Sequence, residues 1–128
     1  MRIFKTKLFA RFARRERISD AHLREAVERA ERGLIDADLG GGVIKQRMAR
    51  AGQGRSGGFR VLLAYRPDTR SVFLFGFAKN ERGNVDDDEL VTAQEIARVW
   101  LDADGKALER ALAGGIILEV DDGKEEKN

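Results

Sequence analysis

The chain contains no cysteine among its 128 residues, and only one histidine, one tryptophan, one tyrosine and one proline. Without thiols, neither a disulfide nor a thiolate metal site can form. One histidine cannot assemble a histidine-built zinc or iron centre. That residue, His22, falls in the first turn of a charged helical stretch and reads as a surface residue rather than a general base. No apolar run approaches the roughly 20 residues that span a bilayer. The N-terminus lacks the apolar stretch and small-residue cleavage site of a signal peptide. These absences predict a protein without metal or other cofactor, off the membrane, in a reducing cytoplasm.

What is present is charge. Hydrophobic residues make up 42% and charged residues 36% of the chain, the balance of a folded domain with a heavily charged exterior. The net charge of +2 hides an asymmetry. Residues 1–60 carry 15 Lys/Arg against 7 Asp/Glu, whereas residues 61–128 carry 9 against 15. A basic half points to a polyanionic partner held by salt-sensitive phosphate contacts. The alternative is a solvated surface whose charges cancel in the fold.

Arg2 to Phe4 can form a first strand. Leu8, Phe9, Phe12 and Ala13 recur at helical spacing between Lys5 and about Glu16. Ser19 or Asp20 can cap a second helix, with Leu23, Ala26, Val27 and Ala30 on one face and an end near Gly33. The two make a helical hairpin. Gly40 to Gly42 break the chain, Val43 to about Arg50 reads as a strand, and Ala51 to Gly58 as a flexible loop. Phe59–Arg66 and Ser71–Lys79 read as an antiparallel hairpin turning at Pro67-Asp68-Thr69. Asp86 to Glu89 open a third helix, whose stripe is Leu90, Ala93, Ala97 and Trp100. A short helix over about Gly105–Ala113 and a strand over Ile116–Val120 follow. The order predicts an α+β fold: an N-terminal helical hairpin packed on a small, mainly antiparallel twisted sheet, with a C-terminal helix. Residues 1–120 read as one domain and 121–128 as a charged, disordered tail.

Two motifs invite chemistry that their context does not support. The glycines of Gly52-Gln53-Gly54-Arg55-Ser56-Gly57 lead into a strand, whereas a phosphate-binding glycine loop opens a helix. The run Asp86-Asp87-Asp88-Glu89 has the look of a magnesium site, yet acidic residues at a helix start are accounted for by the helix dipole. The remaining candidates are cations: Lys45, Arg47, Arg50, Arg55, Arg60, Lys79 and Arg82. With a four-residue hairpin loop, Arg66 pairs with Ser71 and Arg60 with Phe77, so Arg60 and Lys79 are diagonal neighbours on one face. A loop one residue different puts them on opposite faces.

The segment Gly57-Gly58-Phe59-Arg60-Val61-Leu62-Leu63-Ala64-Tyr65, followed by a strand ending in Lys79-Asn80-Glu81-Arg82, resembles the RelE/ParE superfamily of toxins. Phe4-Lys5, Phe9-Ala10, the stretch from Gly33 to Gly42, and Phe75 to Arg82 are similar to the HigB-related group in particular. The resemblance spans about residues 2–120. It implies a helical hairpin on a twisted sheet and a metal-independent messenger-RNA endonuclease acting in the ribosomal A site. A cognate antitoxin would block that surface, with a toxin–antitoxin heterotetramer permitted by the fold. It also implies phosphate stabilisation by Arg60, and phosphate contact with proton transfer by Lys79 and Arg82. Charge and placement add Lys45, Arg47, Arg50 and Arg55 as contacts to the RNA backbone. The chain departs from the family in two places: Asn80 stands where an arginine is usual, and Asp86 about where a stacking tyrosine is usual. Two alternatives share the fold: a ParE-like inhibitor of DNA gyrase that acts by protein binding, and a degenerate toxin kept as an antitoxin-binding module.

Overall fold

The structure, a computed structural model, describes residues 1–50 and 54–121; of residues 50 and 54–57 it describes the backbone alone. The described residues form β1 (Arg2–Thr6), α1 (Lys7–Arg15), α2 (Asp20–Glu31), β2 (Ala37–Gly40), β3 (Val43–Arg50), β4 (Gly54–Arg66), β5 (Arg70–Ala78), α3 (Asp87–Asp102), α4 (Gly105–Ala113) and β6 (Ile117–Glu119). None of these helices is long and apolar enough to cross a membrane. The strands make one sheet in the order β2-β3-β4-β5-β1-β6. Every pairing is antiparallel except that of β1 with β5. The expected α+β architecture is present, and α3 and α4 stand where the third helix and the short helix after it were expected.

Local chemistry sets the helix ends. The Thr6 hydroxyl accepts the Phe9 N–H at 3.1 Å, so α1 starts two residues later than its apolar spacing indicates. α1 closes through Arg17, at φ 58°, with the Ile18 N–H on the Ala13 carbonyl at 2.8 Å. Glycine is usual at such a position, and arginine costs about 1 kcal/mol there. Ser19 and His22 form the capping box of α2, and Gly33, at φ 84°, ends it. Asp86 and Glu89 form the capping box of α3. At its other end Arg66 donates to the Leu101 carbonyl at 2.7 Å, and Arg70 to the Trp100 and Ala103 carbonyls, both at 2.8 Å. Cations thus answer the negative end of a helix whose first turn is acidic. The buried line of α3 is Ala93, Ala97 and Leu101, at four-residue spacing; Trp100, expected on it, is half-buried at its edge.

Two segments differ from expectation. Gly40 to Gly42, all at positive φ, make the turn between β2 and β3 instead of a plain break. The four-residue, half-polar Ala-Asp-Leu-Gly of β2 gives no alternation long enough to read as a strand. The expected loop from Ala51 to Gly58 is strand from Gly54 onward, because β4 extends to pair Gly54 with Arg50. The expected disorder of the tail falls on residues outside those described beyond Asp121.

The sheet separates two cores. α1 and α2 pack over Ile3, Ile44, Met48, Phe59, Val61, Leu63 and Phe73. α3 and α4 pack over Phe4, Val43, Leu62, Ala64, Val72, Leu74 and Phe77. Each fully buried Leu or Phe stabilises the fold by about 1.5–3 kcal/mol. The first core also contains a polar knot. Gln46, fully buried, donates to the Ala26 and Leu34 carbonyls at 3.0 and 3.1 Å and accepts the Asp36 N–H at 2.8 Å. Two of these three backbone groups, the Leu34 carbonyl and the Asp36 N–H, lie in the link between α2 and β2, outside any helix or strand.

Gln46→Ala is therefore expected to cost about 2–4 kcal/mol, seen in urea titration as a lower midpoint with unchanged slope. A second strap has a pH signature. The Tyr65 hydroxyl donates to Glu31, which also accepts the Asp68 N–H at 3.2 Å, so the end of α2 holds the β4–β5 turn. The Tyr65 hydrogen bond holds the Glu31 carboxyl below its ordinary range. Stability from this contact is present at neutral pH and lost as pH falls through the carboxylate range. Tyr65→Phe should lower the thermal midpoint at about pH 7, and the gap from the parent should narrow at about pH 3.

Candidate nucleic-acid interface

The face of the sheet that carries α3 and α4 also carries three of the predicted cations, Lys45, Arg47 and Arg60. Strand alternation places Lys45 and Arg47 of β3 on it, with Arg60 beside Leu62 on β4. The β4–β5 turn has three residues, with Arg66 opposite Arg70, not the four that would pair Arg66 with Ser71. A bulge between Leu62 and Leu63 then takes up one extra β5 residue, Leu74, and gives the pairing of Arg60 with Phe77 that a four-residue loop would have given. Two rows result, running across β3, β4 and β5: Arg47–Arg60–Phe77 and Lys45–Leu62–Phe75. Each row spans about 10 Å.

Arg60 is 6% exposed. Burial first, and then the charge of Arg47, pull its guanidinium below the usual arginine range, while Asp36 acts the other way. Its Nη1 lies 3.4 Å from the Phe59 carbonyl. Arg47 is exposed, and its backbone is pinned: its N–H donates to Asp36 Oδ2 at 2.6 Å and its carbonyl accepts from the buried Arg29. Fixing the main chain leaves the Arg47 side chain to solvent beside Arg60. Lys45, half-buried, reaches Asn84 Oδ1 at 3.4 Å.

From the other side Arg82 closes the rows. Its guanidinium carbon lies 5.8 Å from the Phe75 ring centroid and 5.2 Å from that of Phe77, within cation–π range. Nη1 donates to Glu89 Oε2 at 3.0 Å, Nη2 to Glu89 Oε1, and Nε to the Asn84 carbonyl at 3.1 Å. The hydrogen bond from Arg82 chiefly holds Glu89 below the ordinary carboxylate range, and Glu89 raises Arg82 in return. Glu89 Oε1 also accepts the Asp86 N–H at 2.9 Å, so the capping box of α3 and the fixing of Arg82 share one carboxylate.

Lys79 stands exposed just past β5, two residues beyond Phe77, and its N–H donates to the Gly58 carbonyl at 2.9 Å. It therefore lies at the rim on the diagonal from Arg60. The side chains of Arg50 and Arg55 lie outside the described residues. His22 is on the opposite side of the molecule, its Nδ1 3.0 Å from Ser19 Oγ in the cap of α2. Among the described residues no group of three or more His, Cys, Asp or Glu could hold a metal ion.

Sequence inspection missed Phe75 and Phe77 as the floor under Arg82, and Glu89 and Asn84 as its holders. Asp86-x-x-Glu89 is a visible capping-box pattern, but which cation its glutamate meets depends on the turn after β5. Assembled, the site offers cations from three separate segments over a short span with aromatic rings beneath one of them. That suits a ligand whose negative charge is spread along a chain.

A family model described as the RelE toxin of the RelE / RelB toxin–antitoxin system matches residues 1–120, every element from β1 to β6. Among curated proteins no relative of significant similarity is found. With the match covering nearly the whole chain and the fold agreeing with it, this protein belongs to the RelE family and is a toxin of a toxin–antitoxin system.

Proposed function

We propose that this toxin is a metal-independent endoribonuclease that cuts messenger RNA presented by the ribosome. The observation that carries this reading is the direct cross-strand pairing of Arg47 and Arg60. Like charges directly opposite destabilise a sheet. A phosphate chain lying across them converts the cost into binding.

In the proposed reaction the ribose 2′-hydroxyl attacks the adjacent phosphorus in line. The bond from phosphorus to the 5′ oxygen breaks, leaving a 2′,3′-cyclic phosphate and a 5′-hydroxyl. Arg60 stabilises the charge that grows on the non-bridging oxygens, a task suited to a planar, permanently charged fork. Arg82, held by Glu89 over Phe75 and Phe77, approaches the same phosphate from the β5 side. The 2′-hydroxyl gives up its proton to solvent water as it attacks, and Lys79, at the rim, delivers a proton to the departing 5′ oxygen and regains one from solvent. Lys45 and Arg47, with Arg50 and Arg55, hold the flanking backbone. The ribosome supplies in-line alignment, which is worth several kcal/mol of barrier. A cognate antitoxin would silence the enzyme by covering this face, in a heterotetramer, and the whole cycle would run in the cytoplasm. The kinship with the HigB-related group belongs to the same proposal.

Purified toxin supplied with translating ribosomes tests this. Arg60→Ala should slow message cleavage by about 100-fold or more, with a thermal midpoint at or above that of the parent, since the opposed like charges are relieved. Arg60→Lys should recover only part of the rate, since the fork is lost while the charge is kept. Wild-type cleavage by folded Arg60→Ala protein would remove Arg60 from the mechanism.

A further inference from the structure

A second cationic surface lies outside this site. α1 presents Lys7, Arg11, Arg14 and Arg15 and contains no acidic residue. At 3.6 residues per turn these four fall within a sector of about 100°. All four are exposed, while Phe9, Ala10, Phe12 and Ala13 on the other side are buried. Lys7, Arg11 and Arg15 follow at four-residue intervals, about 6 Å apart along the axis, and such like-charge neighbours weaken a helix. α2 shows how this chain builds a solvated face: Glu25 and Glu28 are interspersed with Arg24 and Arg32 near its exposed side. Among the described residues Arg15 alone of the four α1 cations has a carboxylate in ion-pair range, its neighbour Glu16 at 3.4 Å.

The stripe continues into Arg17, a cation at a positive-φ position where glycine is less strained. Arg15 and Arg17, with Glu16 between them and with Ile18, His22, Met48, Ala49 and Phe59, line a cleft of about 420 Å³ at the end of the sheet. Met48 and Phe59 directly adjoin Arg47 and Arg60 in their strands. The α1 stripe and the Arg47–Arg60 row therefore approach each other around one sheet end from opposite faces.

We propose that α1 together with Arg17 is a second binding surface for an RNA phosphate backbone, taking a folded or duplex segment outside the strand that lies across Arg60. The choice of RNA rests on the ribonuclease assignment above; the surface itself rests on the placement of α1. An anionic bilayer fits less well, because Phe9, Ala10, Phe12 and Ala13 are committed to the core and the exposed Leu8 alone is too little apolar surface for α1 to enter lipid. The regular spacing of arginine forks suits successive phosphates.

The probe is a 2′-O-methyl RNA hairpin, which has no free 2′-hydroxyl to react, titrated by fluorescence anisotropy at increasing salt. In Arg11→Gln/Arg14→Gln/Arg15→Gln protein the slope of log affinity against log salt should become shallower by about 3 for a duplex. Low-salt affinity should fall more than about tenfold. The charge-matched control Arg98→Gln/Lys106→Gln/Arg110→Gln, on α3 and α4, should keep the parent slope. Arg17→Gly should raise the thermal midpoint and still make the slope shallower by about 1. A parent-like slope in the α1 variants overturns the proposal, as does an equal loss in the control. So does α1-dependent binding to phosphatidylglycerol vesicles with RNA binding unaffected. A toxin that binds the hairpin through α1 but cuts no message keeps this inference and loses the preceding one. Cleavage together with α1-independent binding does the reverse.

Discussion

Because side chains alternate along a strand, the pairing of β4 with β5 decides what surrounds Arg60. The three-residue turn alone would set Arg60 opposite Gly76 and send Phe77 to the other face. The bulge that admits Leu74 corrects the count, so Arg60 stands between Arg47 and Phe77. Everything else at the interface follows from that register. Phe77 and Phe75 form the floor on which Arg82 rests, and Lys79 comes to the rim on the same diagonal. β4 can hold this register firmly because both of its faces are covered. α1 and α2 bury Val61 and Leu63 on one side, and α3 and α4 bury Leu62 and Ala64 on the other. A slip by one residue would exchange the contents of two cores.

The acidic run that opens α3 belongs to the same design. Its carboxylates offset the dipole of the helix, and Glu89 additionally anchors Arg82 while accepting the Asp86 N–H. The chain's charge asymmetry thus persists in space as adjacency: cations from β3 and β4 meet an acidic helix start across the Phe75–Phe77 floor. At the far end of α3 the roles reverse, and Arg66 and Arg70 from the β4–β5 turn region donate to its last carbonyls. Charge complementarity at both ends fixes the helix over Leu62 and Ala64 and leaves the Arg47–Arg60 row beyond it.

Much of this was readable from local chemistry. The capped helices, the Pro67–Thr69 turn and the two apolar strands follow from spacing and from residues with restricted backbones. β2 was not readable, since four residues of mixed polarity carry no period. The parallel pairing of β1 with β5 joins segments about seventy residues apart, and only packing decides it. The register of Arg60 stayed open in the sequence because it turns on loop length; a three-residue turn and a compensating bulge set Arg60 opposite Phe77. Trp100 was expected on the core line of α3, but a four-residue spacing from Ala93 and Ala97 selects Leu101. At the site the cations were visible as residue types, whereas their grouping was not. Like-charged side chains show no preference for one another in a sequence, and the contacts that gather them are backbone register and the cap of α3.

The most direct test is to express the toxin briefly in bacteria without its antitoxin and map RNA 5′ ends across the transcriptome, for the parent and for Arg60→Ala. The parent should leave new 5′-hydroxyl ends inside translated messages, and the folded Arg60→Ala protein should not. Growth arrest with intact messages and damaged DNA would contradict the nuclease reading and identify a gyrase inhibitor on the same fold.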